Sequence, residues 1–186
     1  MNTPIIKPID PEAVEGKAKQ LLDGVKRSLG ATPNLFTTLA HAPAALNGYL
    51  QFSSALAGGD LHPQFREKLA LTIAGLNGCD YCTAAHSFIG DKSGLSGDEL
   101  ALNRQGRSAD LTSQVGLDFA AKLVKNHGSV TSEDVQAVRD AGFTDERIIE
   151  IVAHVGLNIF TNYFNSAFGT EVDFPAIGPI SQDRVA

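Results

Sequence analysis

The sequence is poor in several features that mark whole classes of protein. It contains no run of eighteen or more apolar residues, so no segment is predicted to cross a membrane as a helix. It has no cluster of lysine and arginine and carries a formal net charge of −6. Both features argue against binding to nucleic acid or to an anionic membrane surface. Period-two alternation of apolar and polar residues is almost absent, which argues against a protein built from half-buried strands.

The sequence also shows no pattern of an export signal and contains few cysteines. Residues 1–10 are polar and rich in proline, without the charged and apolar regions of a secretory signal, so we expect a cytoplasmic protein. The chain has two cysteines, Cys79 and Cys82. In a chain without an export signal, this Cys-x-x-Cys spacing indicates redox or metal chemistry and not a structural disulfide.

The remaining composition is that of an ordinary globular protein. Of its 186 residues, 43% are hydrophobic and 19% are charged, which suits one domain with a normal core. We predict an extended N-terminal arm over residues 1–10, a helical domain over 11–172 and a C-terminal tail over 173–186.

Apolar residues at helical spacing, together with caps, prolines and glycines, predict about eight helices. These helices cover residues 11–29, 43–57, 63 to a turn at 75–78, 79 to about 90–94, 96–104, 112–126, 131–141 and 145–168. Residues 35–40 form a short apolar segment between the first two helices. The predicted core stripe of the third helix consists of Phe65, Leu69, Ile73 and Leu76. The fold class is therefore all-α, a single-domain helical bundle.

A weak internal similarity suggests that two helical units are related. Gly75-Leu-Asn77 aligns with Gly156-Leu-Asn158, and the same register pairs Cys82 with Tyr163. We interpret the pattern as one unit that retains chemistry and a second one packed with aromatic residues. Convergent helix packing is the alternative explanation.

The most informative stretch runs from Glu67 to His86. If residues 79–86 are helical, Cys79, Cys82 and His86 fall within roughly 60° of one another on one face. Helical side chains lean toward the N-terminus, so the imidazole of His86 is aimed at the sulfur of Cys82. A base next to a thiol is the arrangement that activates a nucleophile.

The residues before the first cysteine predict where this helix begins. Asn77 and Gly78 form a strong breaker pair, which places both sulfurs in the first turn. Unpaired backbone N–H groups and the helix dipole favour a thiolate at that position. If the chain turns at 75–78, the two flanking helices pack side by side and bring Glu67 to His86. The carboxylate would then orient the imidazole, as the third member of a catalytic triad does.

The pattern Glu-x11-Cys-x2-Cys-x3-His, formed by Glu67, Cys79, Cys82 and His86, resembles the signature of the alkyl hydroperoxidase D-like enzymes. These belong to the wider carboxymuconolactone decarboxylase-like family, and the resemblance covers roughly residues 30–170. One position departs from the pattern: the best-studied branch has a second histidine just before the second cysteine, where this chain has Tyr81. Other members of the wide family carry tyrosine there.

The resemblance implies a thiol-dependent peroxidase that needs no cofactor and no metal. Cys82, favoured as the nucleophile because His86 is its neighbour, would attack a hydroperoxide, and Cys79 would close a disulfide. Glu67 would hold His86 in the useful tautomer, and Tyr81 is a candidate accessory proton donor. The expected partners are the hydroperoxide and an external dithiol reductant, which in the studied branch is a lipoyl-bearing protein. The family also implies a homo-oligomer, either a trimer or a hexamer.

Several other interpretations of these residues stay open at the level of sequence. The cysteines could be two small buried core residues, or they could bind zinc together with His86 and Glu67, although one helical turn presents ligands poorly for a tetrahedron. Tyr81 could be a packing residue with a hydrated hydroxyl, and we favour a satisfied core histidine for His154. The whole protein could be a general disulfide oxidoreductase, a redox-regulated interaction protein or a cofactor-free lactone decarboxylase.

Overall fold

The computed structural model describes residues 4–175, and the predicted all-α architecture is confirmed there. Within this range the chain forms nine helices and no strand. They are α1 (Gly16–Leu29), α2 (Asn34–Leu39), α3 (Pro43–Ala57), α4 (Pro63–Asn77), α5 (Asp80–Lys92), α6 (Gly97–Asn103), α7 (Leu111–Lys125), α8 (Ser132–Asp140) and α9 (Asp145–Phe168). None of these helices is both long and apolar enough to cross a membrane.

Local sequence signals account for most of the helix boundaries. Proline occupies the first position of α3 and of α4, where its missing N–H costs nothing. The side chain of Ser96 caps α6, and Thr131 forms a reciprocal capping box with Asp134 at the start of α8. Each of these boundaries lies within a residue or two of its predicted position.

The predicted start of the first helix is wrong. We expected it at residue 11, but α1 begins at Gly16. The Asp10 carboxylate does accept a hydrogen bond from the Glu12 N–H, and the Asp10 carbonyl accepts one from Ala13, so a single turn forms. Gly16 then adopts a left-handed conformation with φ +67°, which separates that turn from the helix.

Two further details of the structure differ from the prediction. The count of about eight helices is one too low for residues 4–175, because the apolar segment at 35–40 is itself the short helix α2. Phe65, Leu69 and Ile73 are buried in the core as predicted, but Leu76 is exposed at the end of α4. The apolar stripe therefore ends one turn earlier than the spacing suggested.

The helix α4 lies at the centre of the bundle. It packs against α5, α6, α7 and α9, and it separates two clusters of buried side chains. One cluster is formed mainly by α4, α7, α8 and α9. The other includes residues of α1, α2 and α3 and contains both cysteines.

A tight reversal joins α4 to α5 and sets the geometry of the motif. Gly78 ends α4 in a left-handed conformation with φ +64°, and the Cys79 N–H donates to the carbonyl of Ala74. Cys79 is then the N-cap residue of α5. Because only two residues separate the helices, α4 and α5 pack side by side, and residues twelve or more positions apart become neighbours.

The two units of the proposed internal repeat differ in structure at one point. The first unit turns sharply after Asn77, whereas α9 continues without interruption through the aligned Asn158. The aromatic Tyr163, which aligns with Cys82, is exposed. The relation between the two units and the division into arm, domain and tail stay predictions. Residues 1–3 of the arm and 176–186 of the tail lie outside the described range.

Candidate active site

The two cysteines lie together at the N-terminus of α5. Cys79 is the N-cap and its sulfur accepts a hydrogen bond from the Cys82 N–H at 3.4 Å. The two cysteines come within 3.0 Å of each other and are both unbonded to any other cysteine. Each is only 3% exposed, so any reagent must reach them through a cavity and not across an open surface.

The two thiols differ strongly in acidity. A hydrogen bond from the Cys79 thiol lowers the pKa of Cys82, and although burial opposes this shift, the charge of His86 and a hydrogen bond from Asn165 support it. The pKa of Cys79 is raised, first by its hydrogen bond to Cys82 and then by burial. Of the two cysteines, Cys82 is therefore the one whose thiolate form is favoured, with the Cys79 thiol as its hydrogen-bond donor.

Glu67 and His86 form a close pair beside the cysteines. The Nδ1 atom of His86 lies 2.8 Å from Oε2 of Glu67, and both side chains are mostly buried. Burial by itself would lower the pKa of His86, but the charge and hydrogen bond of Glu67 and the charge of Cys82 outweigh it, so the pKa is raised. The turn between α4 and α5 thus brings Glu67 next to His86, as expected from the sequence.

His86 acts on Cys82 differently from the expectation of a direct hydrogen bond. The hydrogen bonds to the Cys82 sulfur come from Asn165 and Cys79, while His86 contributes through its positive charge. The ring uses Nδ1 for Glu67. This arrangement leaves its Nε2 atom for a proton transfer to a bound molecule.

The sequence did not lead us to predict that asparagine side chains of α9 contact the Cys82 sulfur. The Nδ2 atom of Asn165 donates a hydrogen bond to the Cys82 sulfur at 3.2 Å, which lowers the pKa of Cys82. Asn162 lowers this pKa as well. Asn162 is itself held by a hydrogen bond from Asn77 at 2.9 Å. The signal was present in the sequence as polar residues at helical spacing in an otherwise apolar helix. These residues, all buried, are His154, Asn158, Thr161, Asn162 and Asn165.

Removing the amide of Asn165 is expected to make Cys82 a weaker acid. In the variant Asn165→Leu the thiolate loses one charge-assisted hydrogen bond, while a side chain of similar size still fills the position. We expect the alkylation-versus-pH midpoint of Cys82 to rise by about 1 pH unit, because such a bond contributes roughly 1.5–3 kcal/mol. Iodoacetamide labelling at a series of pH values, followed by mass spectrometry, measures this midpoint. The neighbouring exposed Ser166→Ala is the control, and an equal midpoint in both variants would contradict the contact.

Two cavities lie next to this site. The larger one, about 660 Å³, is lined by Gly78, Cys79, Asp80 and Tyr81, by Asn165 and Ser166, and by residues 169–172. The smaller one, about 170 Å³, is lined by Glu67 and His86 together with residues of α3 and α9. Cys79 therefore lines the larger cavity, and the Glu67–His86 pair lines the smaller one.

The expectation of a satisfied core histidine at position 154 is half wrong. His154 is buried, at 6% exposure, but its Nε2 atom has no hydrogen-bond partner among the described residues. It lines the smaller cavity together with Glu67 and His86. Within residues 4–175, no three side chains of His, Cys, Asp or Glu lie close enough together to hold a metal ion.

Comparisons with known proteins agree with this geometry. The model of the Carboxymuconolactone decarboxylase family matches residues 43–115, which include all four motif residues. The alkylhydroperoxidase AhpD core of a peroxidase-related protein from Ralstonia eutropha JMP134 superimposes with a TM-score of 0.80 at 28% identity, over 92% of this chain and 94% of that one. A peroxidase-related protein from Silicibacter sp. TM1040 superimposes with a TM-score of 0.76 at 25% identity, over 92% and 94%. The resemblance to the AhpD-like, carboxymuconolactone decarboxylase-like family is confirmed.

The AhpD-like fold is also shared with a protein of another activity. The debrominase Bmp8, solved in complex with 2,3,4-tribromopyrrole, superimposes with a TM-score of 0.77 over 93% of both chains. At 18% identity this likeness concerns the fold alone. A search among curated proteins found no match.

Tyr81 marks the position where this AhpD-like chain departs from the best-studied branch. Tyr81 is buried, and its hydroxyl oxygen accepts a hydrogen bond from the Leu35 N–H at 3.1 Å. Its ring packs edge-on against Phe174 at 5.6 Å. Burial raises the pKa of Tyr81. Tyr81 therefore links α5 to α2 through its hydroxyl oxygen.

Proposed function

We propose that this chain is a thiol-dependent peroxidase that reduces hydroperoxides through Cys82 and Cys79. The observation that carries the proposal is the pair of neighbouring cysteines at the N-terminus of α5, with His86 one turn later in the same helix and hydrogen bonded to Glu67. In this arrangement the pKa of Cys82 is lowered and that of His86 is raised. A thiolate supplies the nucleophile, and an imidazolium next to it supplies the proton that a departing alkoxide needs. The family match to peroxidase-related proteins supports the same chemistry.

The first step oxidises the sulfur of Cys82. The thiolate attacks the terminal oxygen of the hydroperoxide, an S–O bond forms, and the O–O bond breaks. The sulfur loses two electrons to become a sulfenic acid, and the alkoxide takes a proton from His86 to leave as an alcohol. Glu67 keeps Nδ1 of His86 engaged, so that Nε2 is the atom that gives up the proton.

The second step uses Cys79 as the resolving residue. The Cys79 thiol gives up its proton as its sulfur attacks the sulfenic sulfur, the S–O bond breaks, and the hydroxyl group leaves with that proton as water. The product is a disulfide between two cysteines that are already neighbours. An external dithiol then reduces this disulfide, restoring the Cys79 thiol, the Cys82 thiolate and the proton on His86. Cys79 lines the larger cavity, so the reductant is expected to enter there. The family resemblance suggests a lipoyl-bearing protein for this role.

A general disulfide oxidoreductase is the second candidate. It is favoured by the position of Cys79, which is the cysteine that faces a cavity of about 660 Å³, large enough to admit a substrate disulfide. Such an enzyme would use the dithiol without needing the Glu67–His86 pair as a source of protons for an alkoxide. Reduction of a disulfide substrate that is faster than reduction of any hydroperoxide would favour this candidate.

Copies of the chain are expected to associate. The outer face of α9 presents large exposed apolar side chains at helical spacing, namely Ile149, Val152, Phe160 and Tyr163. A contiguous apolar surface of this kind is typical of an interface between proteins. The trimer or hexamer implied by the family stays a prediction.

The direct test is hydroperoxide consumption by the reduced protein with a dithiol as the electron donor. We expect multiple turnovers of cumene or tert-butyl hydroperoxide with dihydrolipoamide, at a rate well above that of the dithiol alone. Alcohol formation should equal dithiol oxidation, since each cycle moves two electrons. Tribromopyrrole, the ligand of the debrominase with the same fold, serves as a comparison substrate. Turnover no faster than the free dithiol would rule out the peroxidase.

A further inference from the structure

The larger cavity contains two carboxylates in addition to Cys79. Asp80 and Glu171 both line it, and both are exposed to solvent. A third carboxylate, that of Asp173, interacts with Tyr81, which also lines the cavity. None of the described residues that line this cavity is a lysine, an arginine or a histidine. A cleft lined by charges of one sign concentrates their field, so this cavity disfavours anions and admits neutral or cationic molecules.

The size of the larger cavity suits a small dithiol or the end of a longer carrier. Its volume of about 660 Å³ lies within the roughly 300–1,000 Å³ of pockets that bind small molecules. Tyr81 and Val172 supply apolar surface for an aliphatic chain, and the exposed Ser166 supplies a hydroxyl group. A dithiol on an aliphatic chain therefore has room in the cavity that Cys79 lines.

Of the two cysteines, Cys79 is the better target for such a dithiol. It lines the larger cavity, whereas Cys82 is not among the described residues that line either cavity next to the site. Thiol–disulfide exchange is also faster when the sulfur that leaves is the more acidic one. The Cys79 thiol contributes most to the lowered pKa of Cys82. When Cys79 is in a disulfide, the charge of His86 and the hydrogen bond from Asn165 still stabilise the leaving sulfur.

The charge of Asp80 acts at the sulfur that is attacked. Asp80 is the first residue of α5 and follows Cys79 directly in the chain. The pKa of Cys79 is raised by its hydrogen bond to Cys82, by burial and, to a smaller extent, by the negative charge of Asp80. A reductant that carries an additional negative charge is therefore repelled at the place where the exchange occurs.

We propose that a dithiol enters the larger cavity and reduces the disulfide at Cys79, and that Asp80 and Glu171 select dithiols without negative charge. The proposal rests on the proposed function, because it concerns the disulfide that hydroperoxide reduction would form. It makes the two carboxylates specificity-determining residues for the reductant. Neutral dithiols are favoured, and anionic thiols such as glutathione are disfavoured.

The exchange takes place in two steps. The first thiol of the reductant loses its proton, which restores the imidazolium of His86, and its sulfur attacks Cys79. The bond between the two cysteines breaks, and Cys82 leaves as a thiolate. The second thiol of the reductant then attacks the mixed disulfide and gives its proton to Cys79. The reductant, which has lost two electrons and two protons, leaves as a cyclic disulfide.

The test compares two reductants that differ by one charge. Dihydrolipoamide and dihydrolipoate share the same dithiol and end in a neutral carboxamide and a carboxylate, respectively. The full chain is oxidised with diamide, and its reduction by each dithiol is followed by acid quenching, N-ethylmaleimide labelling and mass spectrometry. Relative to their rates with the neutral hydroxyethyl disulfide, we expect dihydrolipoamide to react about five- to tenfold faster at low ionic strength. At about 0.5 M salt this preference should largely disappear, because the charges are screened.

Removal of the two carboxylates should remove most of the preference. In the double variant Asp80→Asn, Glu171→Gln we expect the ratio of the two rates to fall by at least about threefold. A general effect of the substitutions on the disulfide changes both rates alike and cancels in the ratio. Asp173 is kept because its carboxylate accepts a backbone N–H at the start of α2. The matched control is Asp91→Asn, Glu146→Gln, which neutralises two exposed carboxylates that do not line the cavity and should keep the natural ratio.

Three results would overturn the proposal. The first is equal relative rates for the two dithiols, and the second is an unchanged ratio in Asp80→Asn, Glu171→Gln. The third is a mixed disulfide with 2-mercaptoethanol, used as a single-thiol probe, that is trapped on Cys82 and not on Cys79. No hydroperoxide is present in these experiments, so their outcome is independent of whether the protein is a peroxidase. A charge preference without hydroperoxide turnover would support this site and reject the peroxidase.

Discussion

Replacement of Cys82 by serine is expected to reduce hydroperoxide turnover by at least about 10³-fold, because it removes the nucleophile from which the covalent step proceeds. The hydroxyl of serine is not ionised at neutral pH, so neither the charge of His86 nor the amide of Asn165 can make it an equivalent nucleophile. The coupled assay with a dithiol donor measures the loss.

Replacement of Cys79 by serine should give a different result. Cys82 keeps its environment, including a hydroxyl donor in place of the Cys79 thiol, so the first oxidation still occurs. Without a resolving thiol the sulfenic acid persists, and we expect about one equivalent of alcohol per chain followed by arrest. Dimedone labelling and mass spectrometry identify the trapped species. If the serine variant at position 79 loses the first oxidation and the one at 82 retains it, the two roles are reversed.

Replacement of Glu67 by glutamine is expected to have the second large effect. Burial would then lower the pKa of His86 without an opposing carboxylate, and the imidazole would become neutral near pH 7. Cys82 would lose the positive charge that stabilises its thiolate, so its pKa would rise toward the ordinary thiol value of about 8.5. The thiolate fraction at pH 7 therefore falls, and alkylation of Cys82 reaches its midpoint at higher pH.

The same change should slow catalysis more than it slows alkylation. Peroxide reduction needs both the thiolate and the proton of His86, and loss of a general acid costs about 10²–10⁴-fold. We expect His86→Ala to reproduce both effects, since it removes the group through which Glu67 acts. Asp91→Asn, which neutralises an exposed carboxylate on the same helix, is the matched control. An alkylation curve that stays in place in Glu67→Gln and His86→Ala would remove the pair from the mechanism.

Local sequence was sufficient for most of the secondary structure. Prolines at positions 43 and 63, the capping threonine at 131 and the glycine at 78 act on backbone conformation within one turn, so their effects could be predicted without knowledge of the fold. The same local reasoning failed at Pro11, because Gly16 interrupts the chain in a left-handed conformation. It also passed over α2, whose six residues are too few to show a helical period.

The motif itself was also a property of the sequence. The spacing of Cys79, Cys82 and His86 within one helix, and the short turn after Asn77, determined that these side chains and Glu67 could meet. Contacts between distant segments were decided by tertiary structure alone. The amide of Asn165 reaches a sulfur 83 positions away, and His154 enters the cavity of Glu67 and His86. Residue spacing determines the neighbours along one helix, namely Cys79 and His86 around Cys82. The packing of α9 on α5 adds the amides that further stabilise the Cys82 thiolate.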